Sequence, residues 1–398
     1  MPVWLSFPSR PSTSGASIRV PAPPPPTART KHILVYFVPG NPGFIDYYAP
    51  FLATLRMLLD EAEDGARKAS SNGRDVRFHL LGRNLLGFED GDDGGGAYGP
   101  APYDLITQIR GVMDAVAAAR IDLGKADDDD AGGGWQPRHG EAFDQVVLMG
   151  HSVGSYIALD VFRRQLVSQR EQRAQRALAG ANKGQRHPAP GQLSIKEPLG
   201  GTDHLRLRRG ILLFATLAHL AKSQRGQKLE RVLLTTPVVS GWADVLVQAV
   251  VWWLLPVWAM ALVVQYVLGF PPHAAAVTLR FLSSRGGVRQ ALYLGRDELL
   301  RIGPDEWEDE LWETVDGGEE EEDDDDKKPN FVILFGENDH WVADDVRDEF
   351  IARRKAHKKN RAAIVIDERG WPHDFCIRHG EEVAETVKLW IADLAETA

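Results

Sequence analysis

Val146-Val147-Leu148-Met149-Gly150-His151-Ser152-Val153-Gly154-Ser155 is the stretch on which the fold turns. Val146–Met149 is short, wholly apolar and half β-branched, the signature of a strand covered on both faces. The residues from Val153 to Val167 carry a helical pattern. Between strand and helix, Gly150, His151, Ser152, Val153 and Gly154 fit the G-x-S-x-G pattern of a nucleophile elbow. The chemistry needs that spacing. The serine sits on a sharp turn, and a bulky side chain two residues to either side would clash as strand and helix close on one another.

Outward from this stretch the same alternation continues. Ile33–Val38, Ile211–Ala215 and Phe331–Phe335 are further short apolar runs bounded by turn residues, and Val76–Leu81 and Ala362–Ile366 are weaker ones. Helical patterns occupy Tyr47–Asp60, Tyr103–Leu123, Val153–Val167 and Glu381–Ala395. Strands alternating with helices predict a doubly wound, mostly parallel α/β sheet.

A serine at its free pKa is a weak nucleophile and needs a base held by a third group. With an elbow of this kind, the order along the chain is serine, acid, histidine, as in the α/β-hydrolase fold. Asp339 lies on the loop that follows Phe331–Phe335, with Glu337 and Asp344 as fallbacks. His373 lies on the loop after Ala362–Ile366 and before the last helix, and His379 is its rival. The reading is Ser152 as nucleophile, His373 as general base and acid, and Asp339 as the group that orients the imidazole. The oxyanion needs two donors. One expected donor is the backbone N–H of Val153. The other comes from the stiff loop Pro39-Gly40-Asn41-Pro42-Gly43, where the prolines have no N–H and Asn41 is the better candidate.

The chain of 398 residues is 43% hydrophobic, enough for a large core, and carries a net charge of −10 from 46 basic and 56 acidic residues. Part of the acidic excess is concentrated in Asp127–Asp130 and Glu319–Asp326, like-charge runs that read as solvated tethers and argue against a nucleic-acid partner. Cys376 is the single cysteine, so neither an internal disulfide nor a cysteine-built zinc site is expected. The chain shows no dinucleotide fingerprint and no phosphate loop, and with His373 to activate the serine neither a cofactor nor a metal is expected. Residues 1–30, with Pro23–Pro26, read as a disordered, proline-rich lead-in. The core is expected in two parts, 31–216 and 330–398. The first holds a polar insertion over 168–208. Between the parts lies a cap, 217–329, ending in an acidic linker over 316–328.

Within that cap, Val245–Phe270 reads VLVQAVVWWLLPVWAMALVVQYVLGF, without a charge. A single crossing would put strands of one sheet on opposite sides of a bilayer, and two crossings need about 40 apolar residues. Two readings remain. One is an apolar cap over the active site. The other is a shallow hairpin bent at Pro256, each arm roughly 16 Å of helix, with Trp252, Trp253 and Trp258 around the bend at a lipid surface. Arg280, Arg285 and Arg289 follow, suited to phosphate headgroups. The low polarity favours the hairpin, and a cap can serve both ends.

Several blocks together resemble the lipid droplet-associated hydrolases: PGNPG at 39–43 with Tyr47, Tyr48 and Phe51, GHSVGSY at 150–156, the segment Thr216–Leu220, GENDHWV at 336–342, and PHDFCIRH at 372–379. The resemblance implies a serine esterase attached to the phospholipid monolayer of lipid droplets and sometimes to the endoplasmic reticulum. It places the triad roles on Ser152, Asp339 and His373, and the targeting segment on Val245–Phe270. Neutral lipid esters, sterol esters among them, are the implied substrates. The polar and acidic insertions depart from the pattern. Two other functions stay open at this stage: a droplet protein that organises neutral lipid with little or no turnover, and a soluble hydrolase of small esters or thioesters.

Overall fold

Strand β2 (Lys31–Val38) is buried at every position after the first, and β4 (Gln145–His151) and β6 (Asn330–Gly336) repeat that pattern. Such continuous burial arises only where a sheet is covered on both faces. The computed structural model describes residues 4–7, 30–69, 75–88, 97–122, 140–181, 205–233, 257–284, 286–313 and 330–396. Counting β1 (Trp4–Phe7), β3 (Val76–Arg83), β5 (Leu207–Leu213) and β7 (Ala363–Asp367), the sheet has seven strands in the order β1-β3-β2-β4-β5-β6-β7. All neighbours from β3 to β7 are parallel. The fold is an α/β hydrolase, as the elbow and the strand–helix alternation imply.

The connections are helical. Helix α1 (Ala49–Ala69) packs against the final helix of the chain (Gly380–Glu396), and α2 (Leu105–Ala118) against α3 (Val153–Ala181). Asp104 caps α2 by accepting from the Thr107 N–H at 2.8 Å, satisfying one of the N-terminal donors that a helix leaves unpaired. The cap begins after β5 and includes α4 (Gln224–Leu233), α5 (Val257–Leu262), α6 (Pro272–Ser283) and α7 (Gly287–Arg301). Helix α8 (Asp344–Ala356) follows β6, and the final helix is α9.

The sequence reading needs correction in three places. Residues 4–7, inside the expected disordered lead-in, form β1, paired antiparallel with β3 at the sheet edge. Four residues are too short to show a period, and their pairing is decided by the edge they meet. Helix α3 continues past Val167 to Ala181, so the insertion expected over 168–208 begins as helix. Arg170 on this extension pairs with Glu308 at 2.8 Å and with Glu310, contacts far apart in sequence. Strand β5 starts at Leu207 rather than Ile211 and buries Arg209, whose guanidinium donates to Asn330 Oδ1 at 2.6 Å and Asp393 Oδ2 at 2.9 Å. The acidic runs Asp127–Asp130 and Glu319–Asp326, residues 182–204 and the linker 316–328 lie outside the described residues.

Candidate active site

Strand β4 ends at His151 and α3 begins at Val153, which leaves Ser152 alone on the turn with φ of +54°. That left-handed backbone is strained for a residue with a side chain and persists only where its surroundings hold it. Several contacts do so. The Ser152 N–H donates to Leu213 O at 3.0 Å. The hydroxyl of the fully buried Ser155 donates to Gly150 O at 2.9 Å and Leu213 O at 3.2 Å. Both glycines of the motif are sterically required. A Cβ on Gly150 would lie 2.2 Å from Gly154 O, and one on Gly154 would lie 2.3 Å from Val38 O.

The three side chains singled out in sequence meet here. Ser152 Oγ is 2.9 Å from His373 Nε2, and His373 Nδ1 is 2.7 Å from Asp339 Oδ2. The other Asp339 oxygen accepts from the Trp341 N–H at 2.8 Å. Burial pushes the Asp339 carboxyl up. The adjacent His373, as charge and as donor, and the Trp341 N–H outweigh this and hold it below the usual carboxylate range. An ionised Asp339 accepts from Nδ1–H, which turns the Nε2 lone pair toward the serine. The alternatives are excluded by position. Glu337 is exposed, Asp344 heads α8 and pairs with Arg347 at 2.9 Å, and His379 pairs with Glu382 at 2.9 Å.

His151, named in sequence only as part of the elbow, has a second role. Its Nε2 is 2.8 Å from His373 O, and its Nδ1 is 2.7 Å from Tyr48 Oη. A carbonyl can only accept, so Nε2 carries the hydrogen and Nδ1 accepts from the tyrosine hydroxyl. Tyr48 Oη in turn accepts from the Gly40 N–H at 3.0 Å. Burial, and then the nearby His373, lower the His151 pKa to about 3, so the ring stays neutral at ordinary pH. One chain of hydrogen bonds thus ties the loop after β2, the elbow and the loop bearing His373. Tyr48 was quoted in sequence only as part of the family resemblance. No periodicity marks its hydroxyl as a link in this chain.

The Pro39–Gly43 loop lies directly over the elbow: a Cβ on Gly40 would be 3.1 Å from Ser152 Cβ. The Gly40 N–H is used by Tyr48. Among the described residues no hydrogen bond engages the backbone N–H of Asn41. Val153 is the first residue of α3, and its N–H has no acceptor within the helix. Among the described residues, hydrogen bonding therefore leaves the backbone N–H groups of Asn41 and Val153 available. The Asn41 side chain turns to the cap and donates to Ala291 O at 2.9 Å and Glu298 Oε1 at 3.0 Å. On the far side, Trp341 lies 6.1 Å from the His373 ring, and the Arg225 guanidinium lies 5.8 Å from Trp341.

Of the expected anchor, Trp252, Trp253 and Pro256 lie outside the described residues, and Trp258 is described only as backbone within α5. The segment beyond it forms an apolar ledge. Met260 and Val264 face inward, while Leu262, Val263, Tyr266, Val267 and Leu268 are exposed, Tyr266 and Val267 at 74%. Arg378 fastens the ledge to the loop bearing His373 by donating to Gly269 O at 2.8 Å and Leu268 O at 3.2 Å. No helix among the described residues is long and apolar enough to cross a membrane. Of the basic residues expected after the ledge, Arg280 is exposed and pairs with Asp46, and Arg285 lies outside the described residues.

The family model described as lipid-droplet associated hydrolase matches residues 31–376. No curated protein matches the chain by sequence. Similar solved structures include a peroxisomal alpha-beta-hydrolase from Saccharomyces cerevisiae, at 12% identity and a TM-score of 0.44, covering 93% of this chain and 78% of that one. A lipase-esterase related protein from Clostridium acetobutylicum is 11% identical with a TM-score of 0.42, covering 90% and 94%. A thioesterase domain from the curacin biosynthetic pathway is 11% identical with a TM-score of 0.40, covering 90% and 91%.

Proposed function

The chain belongs to the lipid-droplet associated hydrolase family, and from that premise we propose that it cleaves carboxylic esters of neutral lipids, sterol esters among them, at the droplet surface. The observation that carries the reading is the unbroken chain from Ser152 Oγ through His373 to Asp339, at 2.9 and 2.7 Å.

The reaction follows from that geometry. Ser152 Oγ attacks the ester carbonyl and its proton passes to His373 Nε2, while Asp339 stabilises the imidazolium. The backbone N–H groups of Val153 and Asn41 receive the oxyanion. Collapse expels the alcohol, which takes the proton from His373 and leaves an acyl group on Ser152. A water, deprotonated by His373, then releases the fatty acid. The site sits beside an apolar ledge held by Arg378 to the loop of the base, so a protein lying with that ledge in a phospholipid monolayer brings its base loop to the lipid face. Family membership supports the droplet as the surface.

The test is labelling by a serine-directed fluorophosphonate, with Ser152→Ala alongside, followed by a series of neutral-lipid esters. Labelling that vanishes in the variant, with ester turnover, supports the reading. Folded protein that neither labels nor turns over ester in the presence of lipid sinks it and leaves a lipid-organising role. Turnover confined to small soluble esters or thioesters would instead place the substrate in solution.

A further inference from the structure

Glu298 is a buried carboxyl that no step of the proposed reaction uses. It lies near the end of α7, 7% exposed, and its hydrogen-bond partner is the Asn41 amide at 3.0 Å. The same Asn41 nitrogen donates to Ala291 O, one side of α7 away from Glu298 by two helical turns. Gly295 lies between them on that face, and a Cβ there would stand 3.5 Å from Asn41 Nδ2. Residues 291, 295 and 298 fall at spacings of four and three, so one stripe of α7 rests on the Asn41 side chain. Asn41 Oδ1 is buried and has no partner, so both of the bonds that hold the side chain come from the cap.

Asn41 also follows Gly40, whose Cβ position lies 3.1 Å from Ser152 Cβ, and no hydrogen bond among the described residues engages its backbone N–H. We propose that Glu298 is a positioning residue: acting from the cap, it holds the Asn41 side chain so that the Asn41 backbone N–H is set for the oxyanion, and activity depends on the seating of α7. The inference rests on the esterase reading of Ser152. It adds a group that touches neither substrate nor reacting atoms.

The carboxyl suits this work as a neutral acid. Burial raises its pKa to about 8, with Asp297 adding to the rise and Asn41 opposing it. Asp297 is itself paired with Arg301 at 2.8 Å and accepts from the Leu105 N–H, and Arg301 also reaches Asp104 at the start of α2. From α4, the neighbour of this stripe is the apolar Leu229. A proton on Glu298 keeps negative charge away from the residue that must stabilise a developing oxyanion. Ionisation would bring that charge in, so activity is expected to fall as pH rises through about 8.

The experiment compares wild type, Glu298→Gln and Glu298→Ala in fluorophosphonate labelling, ester turnover against pH, and hydrogen exchange of the 39–43 segment. Glu298→Ala is expected to lose about tenfold to a hundredfold in kcat, with KM moving less than about threefold. Its 39–43 amides should exchange faster while the elbow stays protected. Glu298→Gln keeps the acceptor and is expected to recover most of the rate and to hold it above pH 8, where wild type declines. Wild-type kcat in Glu298→Ala, unchanged exchange at 39–43, or equal losses in two folded variants would overturn the proposal. If wild type itself neither labels nor turns over, the esterase reading fails, and the exchange data still decide whether Glu298 holds the loop.

Discussion

Asp339 and Glu298 are two buried carboxyls whose acidities the protein shifts in opposite directions. Burial pushes both upward. Asp339 faces His373 and the Trp341 N–H, and these partners bring it below its ordinary value. Glu298 faces a neutral amide and lies next to another acid, and it rises to about 8. The difference shows that desolvation supplies the penalty while the partners decide which form bears it. On the esterase reading, the core side of the site calls for an anion to hold an imidazolium. On the cap side the proposed role of Glu298 calls for a neutral acceptor.

The largest way to break the contrast is Asp339→Asn, which makes both groups neutral. The amide is isosteric, but its nitrogen cannot accept from Nδ1–H and favours the wrong tautomer. We expect kcat on a neutral-lipid ester to fall about 10⁴-fold with the fold intact by circular dichroism. A loss under tenfold would mean that Asp339 is not the orienting acid. A smaller disturbance is Tyr48→Phe, which leaves the Gly40 N–H and His151 Nδ1 without their partner. Leaving buried polar groups unpaired costs about 1–3 kcal/mol, readable as a lower midpoint in urea. An unchanged midpoint would show that water or a local shift replaces the hydroxyl.

Acidity gives a further handle because the two groups act on stability with opposite sign. The stabilising contribution of Asp339 is present above its unfolded value of 3.8 and is lost as pH falls through its lower folded value. The contribution tied to protonated Glu298 is full below its unfolded value of 4.5 and is lost as pH rises through about 8. Wild type should therefore lose thermal stability between these two values relative to Glu298→Gln, and parallel melting curves of the two proteins against pH would remove the assignment. The smallest effect on the fold is expected at the ledge. Tyr266→Ser with Val267→Ser alters exposed side chains and should shift stability by no more than about 0.5 kcal/mol per site, with turnover of a soluble ester retained. Flotation with phospholipid-coated droplets should weaken, and undiminished flotation would move the lipid contact elsewhere on the chain.

Much of the site was legible because its parts are local and ordered. The elbow glycines follow from the close approach of strand and helix, and this survives as a five-residue pattern. Asp339 and His373 were found by counting strands, since each sits on the loop after a short apolar run. The far end of α3 was not legible. Past Val167 its residues are polar on most sides, and its extension is visible only where Arg170 meets Glu308 and Glu310. Arg209 hid the start of β5 for a related reason: a buried cation reads as surface until its partners Asn330 and Asp393 are known. Arg280 was read as suited to phosphate, and its ion pair with Asp46 shows only in the fold.

By itself the sequence determined the doubly wound sheet, the elbow serine and the acid and histidine that meet it, and the apolar character of the ledge, because these depend on residue type, period and order along the chain. Tertiary structure alone decided that Tyr48 and His151 bind three loops together, that Gly40 is occupied while Asn41 is free, and that Glu298 reaches Asn41 across more than half of the chain. Those contacts join residues remote in sequence, and a buried polar group takes its charge and its role from the partners that folding puts around it.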